Sequence, residues 1–449
     1  MFLPPQNIAV SSYNKIHHGE VGTPYSLIHR IIDLLPSHLF HNPNLRWLDP
    51  CAGNGYFSMI LYQQLFLSLQ PSIPNDKKRK QHIISNMIYM IEINPIHISR
   101  LYSFFGENAN IIMGDFLEFD NMQFDIILGN PPFTHGGIIK TPTMHKIQKK
   151  HDGKACWAAF VRHSIQNLTV YGYLAMIVPS IWMKRDHAFH SYLLQWHILR
   201  LHCMSSVETN RLFRGQAQTP TCFFALQKGA ATSPPLFYDT IIQQYIPYSA
   251  ASSESFPVYA PQIILKLRSF VATYGYIKVF KTSMRLGYKG LRLSPIPTKE
   301  YPYPNISTCR LQGIQPTCVV QYSNIRCSYA GQPKLVLAHK MYGFPYMDLS
   351  GQYGISNRDN YVLINRSPED MKKLQVFLST KLALLVFKAT RYRMQYLEKY
   401  AFEYLPDITK IPAFPQEIND EKVADFFHFS PNEKKAIFTI VKKHYVMCK

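Results

Sequence analysis

The stretch Trp47-Leu48-Asp49-Pro50-Cys51-Ala52-Gly53-Asn54-Gly55-Tyr56-Phe57-Ser58 decides the fold. Apolar residues run into an acid, the acid opens a turn with two glycines, and the apolar-rich run Phe57–Leu69 follows. That is a strand, a tight turn and the start of a helix. Gly53 and Gly55 allow a backbone to come close to a ligand. No Lys follows as in a triphosphate-binding loop, so that chemistry is excluded. Outward from this stretch, strands are expected at Leu45–Leu48, Met87–Ile93, Asn110–Met113, Phe124–Leu128, Tyr173–Val178 and Thr221–Leu226. Helical patterns are Tyr25–Leu35, Phe57–Leu69 and Trp157–Leu168. The alternation predicts an α/β protein with a doubly wound, mostly parallel sheet.

Ligands of open α/β sheets sit beyond the carboxyl ends of the strands. Four expected strand ends carry polar residues there. Asp49 ends the first and can meet a cationic group such as the sulfonium-bearing end of an amino acid. Glu92 ends the second, where acids commonly hold ribose hydroxyls. Asp115 follows the third and can accept from an adenine amino group, with Phe116 flanking the ring. The fourth ends in Asn130-Pro131-Pro132-Phe133. The two prolines stiffen that turn. The Asn oxygen and a neighbouring carbonyl are two acceptors for one amino group, and the aromatic ring is a stacking face. One such acid is an ordinary helix cap; four consecutive ends of this kind read as a site.

The chain has 449 residues, 48 Lys+Arg against 28 Asp+Glu, and a formal net charge of +20. With 47% hydrophobic and 14% aromatic residues it can bury ordinary cores, which excludes disorder as its main state. The excess of base points to a polyanion, nucleic acid first. Eight scattered cysteines form no CxxC pair, so neither a disulfide framework nor a zinc site is expected, although Cys309, Cys318 and Cys327 recur with His339 beyond them. Without a signal segment or a spanning apolar run, a soluble cytoplasmic protein with no membrane partner is expected. Residues 229–259 read as a linker between a domain over 1–228 and one over 260–449. From Pro261 to Lys410 there are 22 basic and 8 acidic residues, a local +14 of the total +20. The run Gln70–Gln81, with Lys77-Lys78-Arg79-Lys80, reads as a solvated insertion. The segment 134–151, rich in His and Lys, reads as a loop.

Taken together, these motifs resemble the S-adenosylmethionine-dependent N6-adenine DNA methyltransferases of the γ group, as found in type II restriction–modification systems. Asp49–Gly55 resembles their first cofactor motif, Asn130–Phe133 their catalytic motif, and Gly22-Thr23-Pro24 the motif that precedes the cofactor loop. The resemblance covers roughly residues 20–228. It implies a Rossmann-like class I methyltransferase domain, followed by a C-terminal α+β target-recognition domain. It also implies that Thr23, Asp49, Ala52, Gly53 and Gly55 surround the cofactor's amino-acid end. Glu92 would then bind its ribose, and Asp115 with Phe116 its adenine. Asn130, Pro131, Pro132 and Phe133 would be catalytic, the Pro131 carbonyl helping Asn130 to hold a flipped adenine's amino group and Phe133 stacking on the base. Phe213 is either a second stacking ring or a core residue. The implied partners are double-stranded DNA and a separate cognate restriction endonuclease, with the chain acting as a monomer.

Two alternatives remain at this level: methylation of adenine in RNA, and a non-catalytic DNA-binding specificity module. Intact strand-end acids and Asn130 argue against the second. Pro406-Asp407 with Glu433-Lys434-Lys435 imitates a nuclease pattern, but its surroundings read as helical.

Overall fold

The apolar runs pair into one twisted sheet because their side chains are buried on both faces. The structure, a computed structural model, describes residues 21–120, 122–134, 155–251, 253–312, 315–339, 345–392 and 396–440. Most of the His- and Lys-rich segment after Thr134 lies outside them. The strands are β1 Trp47–Asp49, β2 Ile88–Glu92, β3 Asn110–Met113, β4 Phe124–Gly129, β5 Leu168–Pro179, β6 His197–Met204, β7 Thr221–Gln227, β8 Leu236–Asp239 and β9 Gln244–Pro247. Their order is β3-β2-β1-β4-β5-β7-β6-β8-β9. β1 is parallel to β2 and β4, β2 to β3, β4 to β5 and β6 to β8; β7 runs antiparallel to both of its neighbours, β5 and β6. The strand order reverses at β1 and β4, which lie side by side with Trp47 opposite Ile126 and Leu48 opposite Ile127. That reversal is where such sheets open a crevice.

Helix α1 Tyr25–Ile32 precedes the first strand, and α2 Tyr56–Ser68, α3 Asp76–His82, α4 Pro95–Phe105 and α5 Trp157–Gln166 connect strands. Leu27, Ile28 and Ile31 of α1 share one buried cluster with Met59, Ile60 and Leu65 of α2, Leu101 of α4, and Ile126, Leu128, Ala175 and Ile177 of the sheet. The intervening residues Ile127, Leu174 and Met176 are equally buried, so the sheet is covered on both faces. The fold is the expected α/β class.

Several details differ from the sequence reading. α1 stops at Ile32 rather than Leu35, since Pro36 disfavours helical backbone at the residue before it. Residues 229–259 are not simply a linker, because β8 and β9 extend the sheet from within them. The solvated insertion is only partly so. Lys77, Lys78 and Lys80 of α3 are exposed, whereas Arg79 is buried. Its guanidinium donates to Ile73 O at 2.6 Å and Pro74 O at 3.1 Å, pairs with Asp76 at 2.7 Å and lies 4.1 Å over the Phe66 ring. Strand β6 had no apolar run to announce it, its residues being His-Ile-Leu-Arg-Leu-His-Cys-Met.

Contacts divide the chain into two compact units. The first takes residues up to 238 with 245–256; the second takes 239–244, 257–391 and nearly all that follows. In the second, β10 Leu293–Ser294, β11 Tyr303–Gln312, β12 Gln315–Ser323 and β15 Gly354–Ile355 form a sheet in the order β10-β12-β11-β15. β13 Lys334–Ala338 lies between β14 Pro345–Asp348 and β16 Asn360–Leu363 in another. Further helices are α6 Ser206–Leu212 of the first unit, and α7 Pro261–Tyr274, α8 Pro368–Phe377, α9 Lys381–Ala389, α10 Asp420–Phe426 and α11 Pro431–Phe438 of the second. Leu267, Leu335, Leu374, Leu385 and Val423 belong to the second unit's core. The acids of the nuclease-like pattern are structural: Asp407 pairs with Arg366 and Glu433 with Lys266, each at 2.6 Å.

Candidate active site

The loops after β1 and β4 meet at the reversal. Asp49 is 2% exposed and has no cation within ion-pair reach among the described residues. It accepts from Ser58 Oγ at 3.2 Å and from Cys51 N–H at 3.5 Å. Burial pushes its carboxyl up to about 7, and the two hydrogen bonds only partly offset this. Gly129 closes the other side of this carboxylate. A Cβ there would lie 3.3 Å from Asp49 Oδ1 and 3.4 Å from Pro50 Cδ, so the two loops approach as closely as backbone allows.

Glu92 fastens the glycine turn. Its carboxylate accepts from Gly53 N–H at 2.6 Å and from Asn94 N–H at 2.8 Å, and Ala52 N–H donates to Ile91 O at 3.0 Å. Each oxygen retains a lone pair for a further donor. Gly55 has left-handed backbone at φ +79°, and a Cβ on it would come within 2.7 Å of Leu101 Cδ2. Its requirement for glycine therefore comes from helix α4 as well as from the turn. Ile93, next to Glu92, is 52% exposed, an aliphatic face left uncovered at the strand end. Asp115 caps the following turn by accepting from Leu117 N–H at 2.9 Å. Phe116 is 2% exposed and packed edge-on to His163, so it has no open ring face; this corrects the flanking role expected for it.

The Asn-Pro-Pro-Phe turn is held by its carbonyls. Cys51 Sγ donates to Asn130 O at 3.3 Å, Cys156 Sγ to Pro132 O at 2.9 Å, and Cys156 N–H to Phe133 O at 3.1 Å. Burial pushes the Cys51 thiol well up and the Cys156 thiol up to about 12, so both remain protonated donors. Among the described residues the Pro131 carbonyl alone of the four accepts no hydrogen bond. The Asn130 side chain is similarly divided. Its Nδ2 donates to Thr23 Oγ1 at 2.9 Å, while its Oδ1 is buried without any partner. A buried amide oxygen left unpaired costs about 1–3 kcal/mol, which an incoming N–H would relieve.

Thr23, Asp49, Ala52, Gly53, Gly129 and Asn130 are thus joined by loop geometry and hydrogen bonds, with Glu92 behind the glycine turn. Phe133 is half-buried against the core cluster. Phe213 is 3% exposed within that cluster, so it is a core residue without a free ring face, and the stacking alternative falls. Sequence reasoning missed Ser58, Cys51 as a donor, Cys156 and Ile93. Ser58, nine residues after Asp49 across a turn, had a faint signal; the cysteines had none.

Over residues 52–207 the chain matches a family described as Eco57I restriction-modification methylase. An uncharacterized adenine-specific methylase of Mycoplasma pneumoniae is 33% identical over 89 residues, 19% of this chain and 21% of that one. Type II methyltransferase M.BstVI of Geobacillus stearothermophilus is 25% identical over 203 residues, 40% of this chain and 36% of that one. A modification subunit of a putative type I restriction enzyme from Vibrio vulnificus YJ016 superposes with a TM-score of 0.37 at 17% identity, covering 49% of this chain and 46% of that one. The chain spans between a fifth and two fifths of the length of the curated relatives it matches, 21–36%. Over residues 52–207, which hold Ala52, Gly53, Glu92, Asp115 and Asn130, the chain is similar to restriction–modification methylases, and over 89 residues it is similar to an adenine-specific methylase.

Proposed function

We propose that this chain is an S-adenosylmethionine-dependent DNA methyltransferase acting on the N6 amino group of adenine in duplex DNA. The observation that carries the reading is the pair of unfilled acceptors, Asn130 Oδ1 and Pro131 O, on a turn whose other carbonyls are already bonded. Two open acceptors on adjacent residues suit the two hydrogens of an exocyclic amine.

The cofactor site fits a cationic, nucleoside-bearing ligand. Asp49 is buried without a counter-charge, Glu92 offers ribose acceptors, and Ile93 offers an uncovered apolar face for a base. Thr23, Asp49, Ala52, Gly53, Glu92 and Asp115 would hold S-adenosylmethionine, which when bound supplies an electrophilic methyl group on a sulfonium. The chain's own residues do the rest. An adenine amine inside a duplex is out of reach, so the base must be flipped out, at a cost of a few kcal/mol. Phe133 recovers part of that by stacking. The amine's lone pair is shared with its ring. Asn130 Oδ1 and Pro131 O, by accepting both hydrogens, favour a pyramidal nitrogen with its lone pair freed. The Phe133 ring face stabilises the positive charge that develops there. Thr23 fixes the amide so that its oxygen, not its nitrogen, faces the amine. The first unit is the catalytic part, and the basic second unit contacts DNA, acting beside a separate restriction endonuclease.

The test is incubation with labelled cofactor and unmodified duplex DNA, followed by digestion and identification of the modified nucleoside. N6-methyladenine is expected with the wild type, and transfer about 10²–10³-fold slower with Asn130→Ala. Transfer to RNA only, or undiminished transfer by the variant, would overturn the reading.

A further inference from the structure

From Ser255 to Met347 the chain carries twelve Lys or Arg and one acid, Glu300. Lys278, Lys281, Arg285, Lys289 and Arg292 in this stretch are all exposed. Lys266 and Arg268 lie on α7 and Arg310 and Lys334 on strands, but one turn is built differently. Residues 285–291 close on themselves: Tyr288 N–H donates to Arg285 O at 2.9 Å, Gly287 N–H to Leu291 O at 2.9 Å, and Leu291 N–H to Tyr288 O at 3.1 Å. Left-handed backbone at Gly287 (φ 77°), Lys289 (φ 51°) and Gly290 (φ 74°) makes that closure possible.

The turn is pinned from below. Asn324 Oδ1 accepts Arg292 N–H at 2.7 Å, and Asn324 Nδ2 donates to Gly290 O at 3.0 Å. Met284, Leu291 and Cys327 form a small apolar base, with Tyr288, Leu293 and Ile325 against it. Leu291 is therefore wholly buried, while Leu286 in the same turn is 72% exposed. Arg285 and Lys289 take part in no ion pair among the described residues. The result is an aliphatic side chain on a fixed mount, with Arg285 one residue before it and Lys289, its ammonium 5.7 Å over the Tyr288 ring, three residues after it.

Resting on the reading of this chain as an enzyme of duplex DNA, we propose that the turn Arg285–Leu291 is a DNA wedge. Leu286 enters between base pairs while Arg285 and Lys289 hold the flanking phosphates. Apolar wedges of this kind unstack a base step, and contacts to the backbone offset the cost. A pinned turn suits the task, since it has little conformational freedom left to lose on binding. Glu300, the one acid in this stretch of sequence, is neutralised by Arg292 at 2.9 Å.

The experiment uses the full chain and a short duplex labelled at both ends for energy transfer, with affinity measured across a salt series. All three substituted positions are exposed, and unfolding midpoints check that the variants fold alike. Leu286→Ser is expected to lower affinity roughly tenfold and remove the change in end-to-end distance, leaving the salt slope intact. Arg285→Gln with Lys289→Gln is expected to reduce the slope of log K against log salt by roughly two. Unchanged end-to-end distance and affinity in Leu286→Ser would overturn the wedge, and an unchanged slope in the double variant would overturn the clamp. Wild-type protein that neither binds nor methylates duplex DNA would instead overturn the reading beneath both.

Discussion

Asn130 is anchored at its nitrogen and open at its oxygen, and the anchor is Thr23, 107 residues away in the chain. Thr23→Val removes the anchor but keeps the shape. It is expected to lower kcat about tenfold with little change in the KM for DNA, because the amide can then turn its nitrogen toward the amine. Thr23→Ser should restore the rate. The thiols can be probed the same way. Cys51→Ala is expected to slow transfer severalfold and Cys51→Ser to keep most of it, as single-turnover rates would show. Asp49 predicts a pH dependence. Its folded carboxyl titrates near 7, above the ordinary 3.8, so the native state holds a proton that the unfolded chain releases earlier. Stability contributed at this site therefore falls as pH rises from about 4 to about 7 and stays low above that. Asp49→Asn is expected to raise the unfolding midpoint by several degrees at pH 8 and hardly at pH 4. A bound cation favours the ionised form, so wild-type cofactor affinity should fall by up to about tenfold per pH unit below 7, as calorimetry would measure. The sequence showed Asp49, Glu92 and Asn130 by their places at strand ends. It could not show that Phe116 and Phe213 point into the core, because an aromatic residue is equally at home in either place.

Among elements, the glycine turn depends on a helix it does not touch in sequence. Gly55→Ala would place a Cβ against Leu101 of α4 and demand left-handed backbone from alanine. A loss of about 1–3 kcal/mol in urea unfolding is expected, together with weaker cofactor binding. In the second unit, Lys334 and Asp348 form an ion pair at 2.6 Å with both side chains buried. The Lys334 ammonium also donates to Tyr329 O and Gln332 O, and Asp348 also accepts from Gln352 and Tyr353 N–H, so the pair is fully bonded. Lys334→Ala would strand the carboxylate, and a loss of about 3–5 kcal/mol is expected from denaturant titration. Strands with continuous apolar runs were legible: β3 lies where the pattern put it, at Asn110–Met113, and β4 extends the expected run by one residue to Gly129. Strand β6 was not, since Arg200, His197 and His202 interrupt its pattern. His202 is buried between the rings of Phe223 and Tyr238 with Arg30 at 2.7 Å, an environment only the folded sheet creates.

For the whole molecule, charge and sheet order carry different information. The net +20 is a property of composition, and it leads to an expected steep fall of DNA affinity with salt, about 0.9 in log–log slope for each phosphate contacted. A slope near zero in a binding series would tell against nucleic acid as the substrate. Composition could not say where such contacts lie, because Lys334 is as basic in sequence as Lys289 and yet is wholly buried. By itself the sequence determined the α/β class, the strand-end acids and the Asn-Pro-Pro-Phe turn, since apolar periodicity and turn chemistry are local. Only the tertiary structure decided which carbonyl of that turn stays free, which aromatic rings keep an open face, and why Asp49 titrates near neutrality. Those depend on hydrogen bonds and burial between segments distant in the chain, which local pattern does not encode.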